Sequence, residues 1–570
     1  MVAMATAPAV AQTIAKNYKS ETNGNPISGS IFCADPTGLE YNGRLYVYGS
    51  NDHQQFIANG KKGENTYGEI KSIVVFSTDD MVNWTFHGTI DAKKLCSSWV
   101  TSPWYQGFGV SWAPSVTWRT NPDTGEDEFF LYFCNSSHGV GVLKANSPIG
   151  PWKSPLKKLL IHYDTPGANP QGTNANFDPG VTIDDNGVGW LSFGGLGPST
   201  IMPDAARIIK LKPSMTEIDG SAVKIHAPYH FEANELNVIG GKYIYTYCSN
   251  WANRSDAEWN NYKNEHNISA SKPDMCTMCY MVSDNPADPD SWVYKGVYGP
   301  HPGNGTNNNH SHLQKFQGNY YYLYHNATLM EKMRAAGVID DNCGIFRSLC
   351  VNKATVNEGT ASISRVSPDL TGVTAIKNLN PYELQEAETM ATSGGIEYED
   401  FVNVKKNTKI NTLGNEASEN LQIKMAAGAW TMVRKVDFGS VGATALTIRA
   451  KGTGKLEVRF RKSSEPQATL EFSSSSLEDH TIELDPTIFN GVKNYVYFIF
   501  TEADDVQFDS WQFTESNSEG VDAVVDNSKA DSQAYDLSGR QVHSAAQDRK
   551  LVIEQYTDGK GVKRSRKVIR

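Results

Sequence analysis

Three acidic residues in the first half of the chain stand where a carboxyl group could do acid–base work: Asp35 in FCADPTGLEYNG, Asp178 in NANFDPGVTIDDNG and Glu232 in YHFEANELNVIGGKY. Each opens a segment that continues as a strand, a turn with Gly or Asn, and an aromatic strand. Two carboxyl groups in opposite protonation states can hydrolyse a glycosidic bond. One deprotonates water and the other protonates the leaving oxygen, at a separation of about 6.5–9.5 Å when the outcome is inversion. A third carboxylate beside the acid raises its pKa by like-charge repulsion. Asp35 and Asp178 each precede a proline, and a single Asp-Pro pair is ordinarily a turn former at a strand entry. It is the recurrence of acids at the openings of repeats that points to chemistry.

Residues this far apart face one cavity only if the chain closes on itself. Five times between residues 33 and 365 the sequence writes a short strand, a turn and an aromatic strand: 35–50, 112–137, 177–195, 231–250 and 309–326. Further alternating strands follow at 72–88, 139–154, 206–220, 278–296 and 347–361. Period-two alternation of β-branched and aromatic residues bounded by Gly, Asn, Asp and Pro specifies strands. Five sheet-sized repeats predict an all-β, five-bladed β-propeller over residues 26–366, whose innermost strands converge on the axis. A β-sandwich alone would not explain the fivefold phrase.

Beyond a junction at 367–381 the character changes. TMVRKVDFG, ALTIRAKG, KLEVRFRK and NYVYFIFTE predict a second, antiparallel β-sandwich over 382–515. Residues 516–570 read as a flexible tail in which AYDLSGRQV resembles a C-terminal sorting segment. Residues 1–25, beginning MVAMATAPAVAQ, read as the remnant of an export signal and an N-terminal arm, so a secreted, periplasmic or cell-surface bacterial protein is expected. A net charge of −11 disfavours nucleic acid and anionic membranes as partners, and no apolar run approaches the length of a membrane span. A neutral partner and a monomeric chain are expected. The 12 Trp, 26 Tyr and 22 Phe could stack on sugar faces, although most must serve β-sheet cores. Trp104, Trp112 and Phe231 are candidate pocket walls, and Asn326 is a candidate partner for sugar hydroxyls. All eight cysteines precede residue 351, so any disulfides belong to the first domain.

Residues 26 to about 365 resemble glycoside hydrolase family 43. The likeness is carried by A-D-P at Asp35, W-A-P at Trp112 to Pro114, D-P-G-V-T-I-D-D-N-G from Asp178, F-E-A at Glu232 and N-H at Asn309 and His310. The resemblance implies Asp35 as general base, Glu232 as general acid and Asp178 as the residue that tunes and orients the acid, with Glu235 a nearby competitor. It also implies that His310 lies below the active centre, beside a calcium ion or its waters; the chain reads N-H-S-H there, which keeps His312 in play. The second domain resembles carbohydrate-binding module family 6 through YELQEAETMA, VRKVDFG and VQFDSWQFTE. That likeness implies a structural calcium held by Glu386, Glu388 and Asp509, and a sugar-stacking or edge aromatic at Trp430. The combination is most similar to arabinoxylan arabinofuranohydrolases, which remove α-L-arabinofuranose side chains from a plant cell-wall polysaccharide such as arabinoxylan, xylan or arabinan. Related β-xylosidases, endo-xylanases and arabinanases use the same three carboxylates. A glycan-binding propeller without catalysis is the alternative of another class.

Overall fold

The computed structural model describes residues 13–101, 107–168, 175–303, 308–403, 408–409, 421–516, 533–535, 551–557 and 563–569. Five antiparallel sheets correspond to the five repeats. Blade one is β1 (Ala34–Tyr41), β2 (Arg44–Ser50), β3 (Ile73–Thr78) and β4 (Trp84–Ile90); blade two is β5 (Trp112–Thr120), β6 (Asp127–Cys134) and β7 (Val140–Ala145). Blade three is β8 (Gly180–Ile183), β9 (Gly189–Phe193), β10 (Arg207–Leu211) and β11 (Ile218–Lys224). Blade four is β12 (His230–Ile239), β13 (Lys242–Ser249), β14 (Met278–Ser283) and β15 (Val293–Gly299), and blade five is β16 (Ser311–Phe316), β17 (Asn319–Asn326) and β18 (Ser348–Ala354).

The innermost strands β1, β5, β8, β12 and β16 touch in sequence, and β16 touches β1, which closes the ring. The open side of β18 is taken by the chain's beginning: Ile27 N–H donates to Leu349 O (2.9 Å), Cys33 N–H to Arg347 O (3.0 Å) and Val351 N–H to the Asn25 carboxamide (2.8 Å). An edge that would otherwise expose unpaired backbone groups is thus covered. Blades three and four approach so closely that a Cβ on Gly180 would lie 2.4 Å from the Cα of Glu235. Only glycine fits there, and the contact fixes the inner strand that follows Asp178 against the one carrying Glu232.

The sandwich is built on the long strand Val492–Glu515, which pairs with Trp430–Asp437 and with Ala443–Arg459; the latter pairs in turn with Ala468–Glu483. Val496, Phe498 and Phe500 turn to one side of that strand and join a core that runs without a break into Val74, Phe76 and Phe86 of blade one. Thr389 and Met390 extend the blade-one sheet by pairing with β4, and Asn83 exchanges hydrogen bonds with the Arg434 backbone (2.7 and 2.9 Å). The described residues up to Ser516 form one compact unit. On the other side of the long strand, Tyr497 and Ile499 pack with Trp430 beneath Ile14 and Ala15. The remaining unit contains a three-stranded antiparallel sheet of Gln533–Tyr535, Leu551–Thr557 and Lys563–Ile569. All eight cysteines are buried.

Candidate active site

The inner strands share one local device. Asp35, Ala113, Asp178 and Ala233 all have positive φ, between 40° and 61°, and ladder irregularities fall at these points in β1, β5 and β12. A left-handed residue in a strand is costly for anything but glycine and persists only where the surroundings hold it. Here it turns the strand entry so that side chains face the axis. Asp35 and Asp178 occupy the left-handed position itself, whereas Glu232 lies one residue before it, at the place of Ala34 and Phe177. The three carboxyl groups line one cavity of about 180 Å³, with Tyr67, Trp112, Phe177, Leu196, Asn308, His310 and Arg347.

Asp35 is surrounded by donors. Ser50 Oγ donates to its Oδ2 (2.7 Å) and Arg347 Nη1 to its Oδ1 (2.6 Å), while His310 Nδ1 and His325 Nδ1 stand 3.8 and 3.5 Å from Oδ1. Burial by itself would raise the Asp35 pKa, but the Arg347 charge, helped by the Ser50 hydroxyl, outweighs it and holds the carboxyl below its usual range. Asp35 is therefore ionised at neutral pH. His325 accepts the Asp35 backbone N–H at Nδ1 (3.0 Å) and meets Asn308 O with Nε2 (3.1 Å). Burial, then the neighbouring Arg347, lowers its pKa to about 3, so it is a neutral ring donating from Nε2.

Arg347 is fixed by a second acid. Asp52, wholly buried at the start of α1 (Asp52–Ala58), accepts from Arg347 Nε (2.9 Å), Nη2 (2.8 Å) and backbone N–H (2.9 Å). Tyr67 covers the guanidinium, with 5.2 Å from its carbon to the ring centre. Arg347 Nη1 also donates to Asn308 Oδ1 (2.7 Å), and Asn308 Nδ2 donates to Glu232 Oε1 (3.3 Å). A chain of Arg347 and Asn308 thus links Asp35 to Glu232 across the cavity.

Glu232 is held in the opposite state. Burial raises its pKa well above the ordinary glutamate value, and the charges of Asp178 and then Asp35 raise it further. Asp178 accepts the Ala233 N–H at Oδ2 (2.9 Å) and the Cys134 thiol at Oδ1 (3.5 Å), so it is anchored to the residue next to Glu232. Its own pKa is raised, by burial against the opposing pull of His310. The arrangement can bind a sugar between an ionised aspartate and a protonated glutamic acid, with a second carboxyl keeping the proton on the glutamate.

Trp112 lines the cavity and donates its indole N–H to Tyr67 O (2.9 Å). Phe231 is not among the lining residues; it packs edge-on against Trp251, which is 36% exposed, with ring centres 4.4 Å apart. Asn326 lies outside the cavity, and its Oδ1 accepts the Thr328 N–H (3.0 Å) at the start of a helix, a local capping duty. Trp104 lies outside the described residues. Glu235 is fully buried, accepts from Ser115 Oγ (3.0 Å) and stands 3.3 Å from His312 Nδ1, away from the lining set. His310 Nε2 is buried with no hydrogen-bond partner among the described residues. Sequence reasoning passed over Arg347, Asp52, Asn308 and Tyr67. A lone arginine opening the otherwise buried segment RSLCV was the available signal for the first; the other three had none.

In the sandwich, Trp430 is fully buried and donates to Ala15 O (2.8 Å), which overturns its expected role as a sugar-stacking ring. Among the described residues no group of three or more His, Cys, Asp or Glu side chains is gathered closely enough to hold a metal as it stands. Glu386 and Glu388 nevertheless each bury a carboxylate oxygen with no hydrogen-bond partner among the described residues. Burial and then the Asp509 charge push Glu386 up to about 7; burial, then Glu386, push Glu388 well above its ordinary value. Such carboxylates fit a hard cation that also takes backbone carbonyls and waters.

Residues 23–361 match the family described as Glycosyl hydrolases family 43. An arabinoxylan arabinofuranohydrolase of Paenibacillus polymyxa is 35% identical over 514 residues, covering 86% of this chain and 74% of that protein. One of Bacillus subtilis (strain 168) is 35% identical over 525 residues, covering 89% and 95%. A crystal structure of a family 43 arabinoxylan arabinofuranohydrolase from Bacillus subtilis, in complex with cellotetraose, is similar with a TM-score of 0.75 at 33% identity, over 89% of this chain and 100% of that one. With its five-bladed propeller and its three axial carboxyl groups, this chain belongs to glycosyl hydrolase family 43.

Proposed function

We propose that the protein is an inverting α-L-arabinofuranosidase that removes arabinofuranose side chains from arabinoxylan or a closely related hemicellulose. The observation that carries the chemistry is the opposed tuning of two carboxyl groups in one cavity: Asp35 held ionised by Arg347, and Glu232 held protonated beside Asp178. Asp35 takes the proton of a water on one face of the sugar. Glu232 gives its proton to the leaving oxygen on the other, and the link through Arg347 and Asn308 supports a fixed spacing between the two groups. The two relatives' activity and the small cavity support a terminal pentose as the residue cleaved. The half-exposed Trp251 beside Phe231, next in sequence to Glu232, offers the polymer backbone an apolar ledge on the leaving-group side. A polymer of this size does not enter cells, so the enzyme acts outside the cytoplasm.

The sandwich serves as a carbohydrate-binding module, with a calcium ion between Glu386, Glu388 and Asp509; the unpartnered buried oxygens of the first two support that reading. A water shell around an ion near His310 would likewise satisfy Nε2. The test of function is product analysis on arabinoxylan, linear xylan and debranched arabinan. Free arabinose from the first, with no xylose or xylo-oligosaccharides from the second, is expected; xylose from linear xylan would reassign the enzyme as a xylosidase.

A further inference from the structure

A groove of about 530 Å³ crosses the sandwich between the turn after Arg459 and the start of the strand Val492–Glu515. Along that strand Lys493, Tyr495 and Tyr497 alternate onto one face, and Phe460 and Arg461 enter from the turn. The chain carries a net charge of −11, yet this groove is basic. Its one carboxylate, Glu21, is already engaged by Lys462 and by the Tyr497 hydroxyl (2.7 Å). Arg461 and Lys493 make no ion pair among the described residues; the Lys493 ammonium lies 4.9 Å from the Phe460 ring centre, over an aromatic floor. Two cations without counter-charge beside rings that can stack are the recognition elements for a planar anion attached to a sugar.

We propose that this groove binds a uronate side group of the polysaccharide, with Arg461 and Lys493 on the carboxylate and Phe460 and Tyr495 along the pyranose ring. The proposal rests on the reading of a hemicellulose substrate and adds to it a preference for acidic chains. The groove is made by the sandwich, whereas the cleavage cavity is made by the inner strands of the propeller, so the two serve different parts of one polymer.

Affinity electrophoresis of the full chain tests it, in gels containing glucuronoxylan, carboxyl-reduced glucuronoxylan or neutral arabinoxylan. Glucuronoxylan should retard the protein more than its carboxyl-reduced form does. Combining Arg461→Ala with Lys493→Ala should weaken that retardation about tenfold while hydrolysis of an aryl arabinofuranoside stays unchanged. Tyr495→Ser should weaken it too, and free glucuronate should compete better than sodium chloride at equal ionic strength. Equal retardation by the carboxyl-reduced polymer, undiminished binding by the double variant, or competition by chloride as effective as by glucuronate would each overturn the proposal. The aryl glycoside and arabinoxylan assays report separately on the cleavage reading.

Discussion

Replacing Asp52 by asparagine removes one charge and almost no volume, at a residue that touches Arg347 and not the cavity. Asp52 accepts two side-chain bonds from Arg347, at 2.9 and 2.8 Å, in a site from which water is excluded. An amide oxygen can keep one of them, while the new NH₂ faces a donor. A hydrogen bond to a charged group contributes roughly 1.5–3 kcal/mol, so about 2 kcal/mol of Arg347 positioning is lost. Expressed wholly in the transition state, that is about a 30-fold fall in kcat/KM, since 1.36 kcal/mol is tenfold. The pH profile separates this from simple destabilisation. Without the Asp52 charge, Arg347 acts on Asp35 alone and a like-charge neighbour disappears, so Asp35 is held still lower. The base works only when ionised, so the acidic limb of kcat/KM should move to lower pH. Steady-state kinetics on an aryl arabinofuranoside between pH 3 and 9, with Tm measured in parallel, would decide, and Asp52→Glu should restore part of the rate. A kcat/KM within about twofold of the parent, or an acidic limb that moves upward, would refute the role given to Asp52.

For the unaltered enzyme, activity requires ionised Asp35 and is lost as pH falls through its lowered pKa; it requires protonated Glu232 and is lost as pH rises through its raised pKa. A bell-shaped profile is expected, and Glu232→Gln should abolish its alkaline limb; survival of that limb would contradict the assignment. Deleting residues 380–570 strips Phe401, Leu421 and Trp511 from a core shared with blade one, where each large buried side chain contributes about 1.5–3 kcal/mol. The truncated propeller should be insoluble or melt far below the full chain, as circular dichroism would report; an unchanged Tm would show that the shared core carries little stability. Chelation with EDTA should lower Tm by several degrees and calcium should restore it, with Glu388→Gln insensitive to both; a Tm indifferent to chelator would remove the calcium from the sandwich.

The propeller was legible because its repeats are written in local chemistry: Gly and Asn turns between aromatic strands recur from residue 33 to 365. Asp35 and Asp178 announced themselves by the same Asp-Pro phrase, and Glu232 by F-E-A. The one-residue offset of Glu232 was not legible, since it depends on the left-handed backbone that Ala233 shares with both aspartates. Arg347 and Asp52 are 295 positions apart and meet only because the ring closes. Trp430 misled for a similar reason: the arm residues that cover it, Ile14 and Ala15, lie over four hundred positions away. Asn326 reads as a polar group at a strand end, and a helix start two residues on claims its carboxamide.

The division of labour between the two carboxyl groups is tested most directly by varying the leaving group. Proton donation matters greatly for a sugar alcohol and little for a dinitrophenolate, whereas activation of water matters equally for both. Glu232→Gln should therefore lose activity on arabinoxylan by orders of magnitude while keeping much of its rate on dinitrophenyl arabinofuranoside, and Asp35→Asn should lose both alike. Equal losses in the Glu232 variant, or a leaving-group dependence that appears in the Asp35 variant instead, would contradict the account.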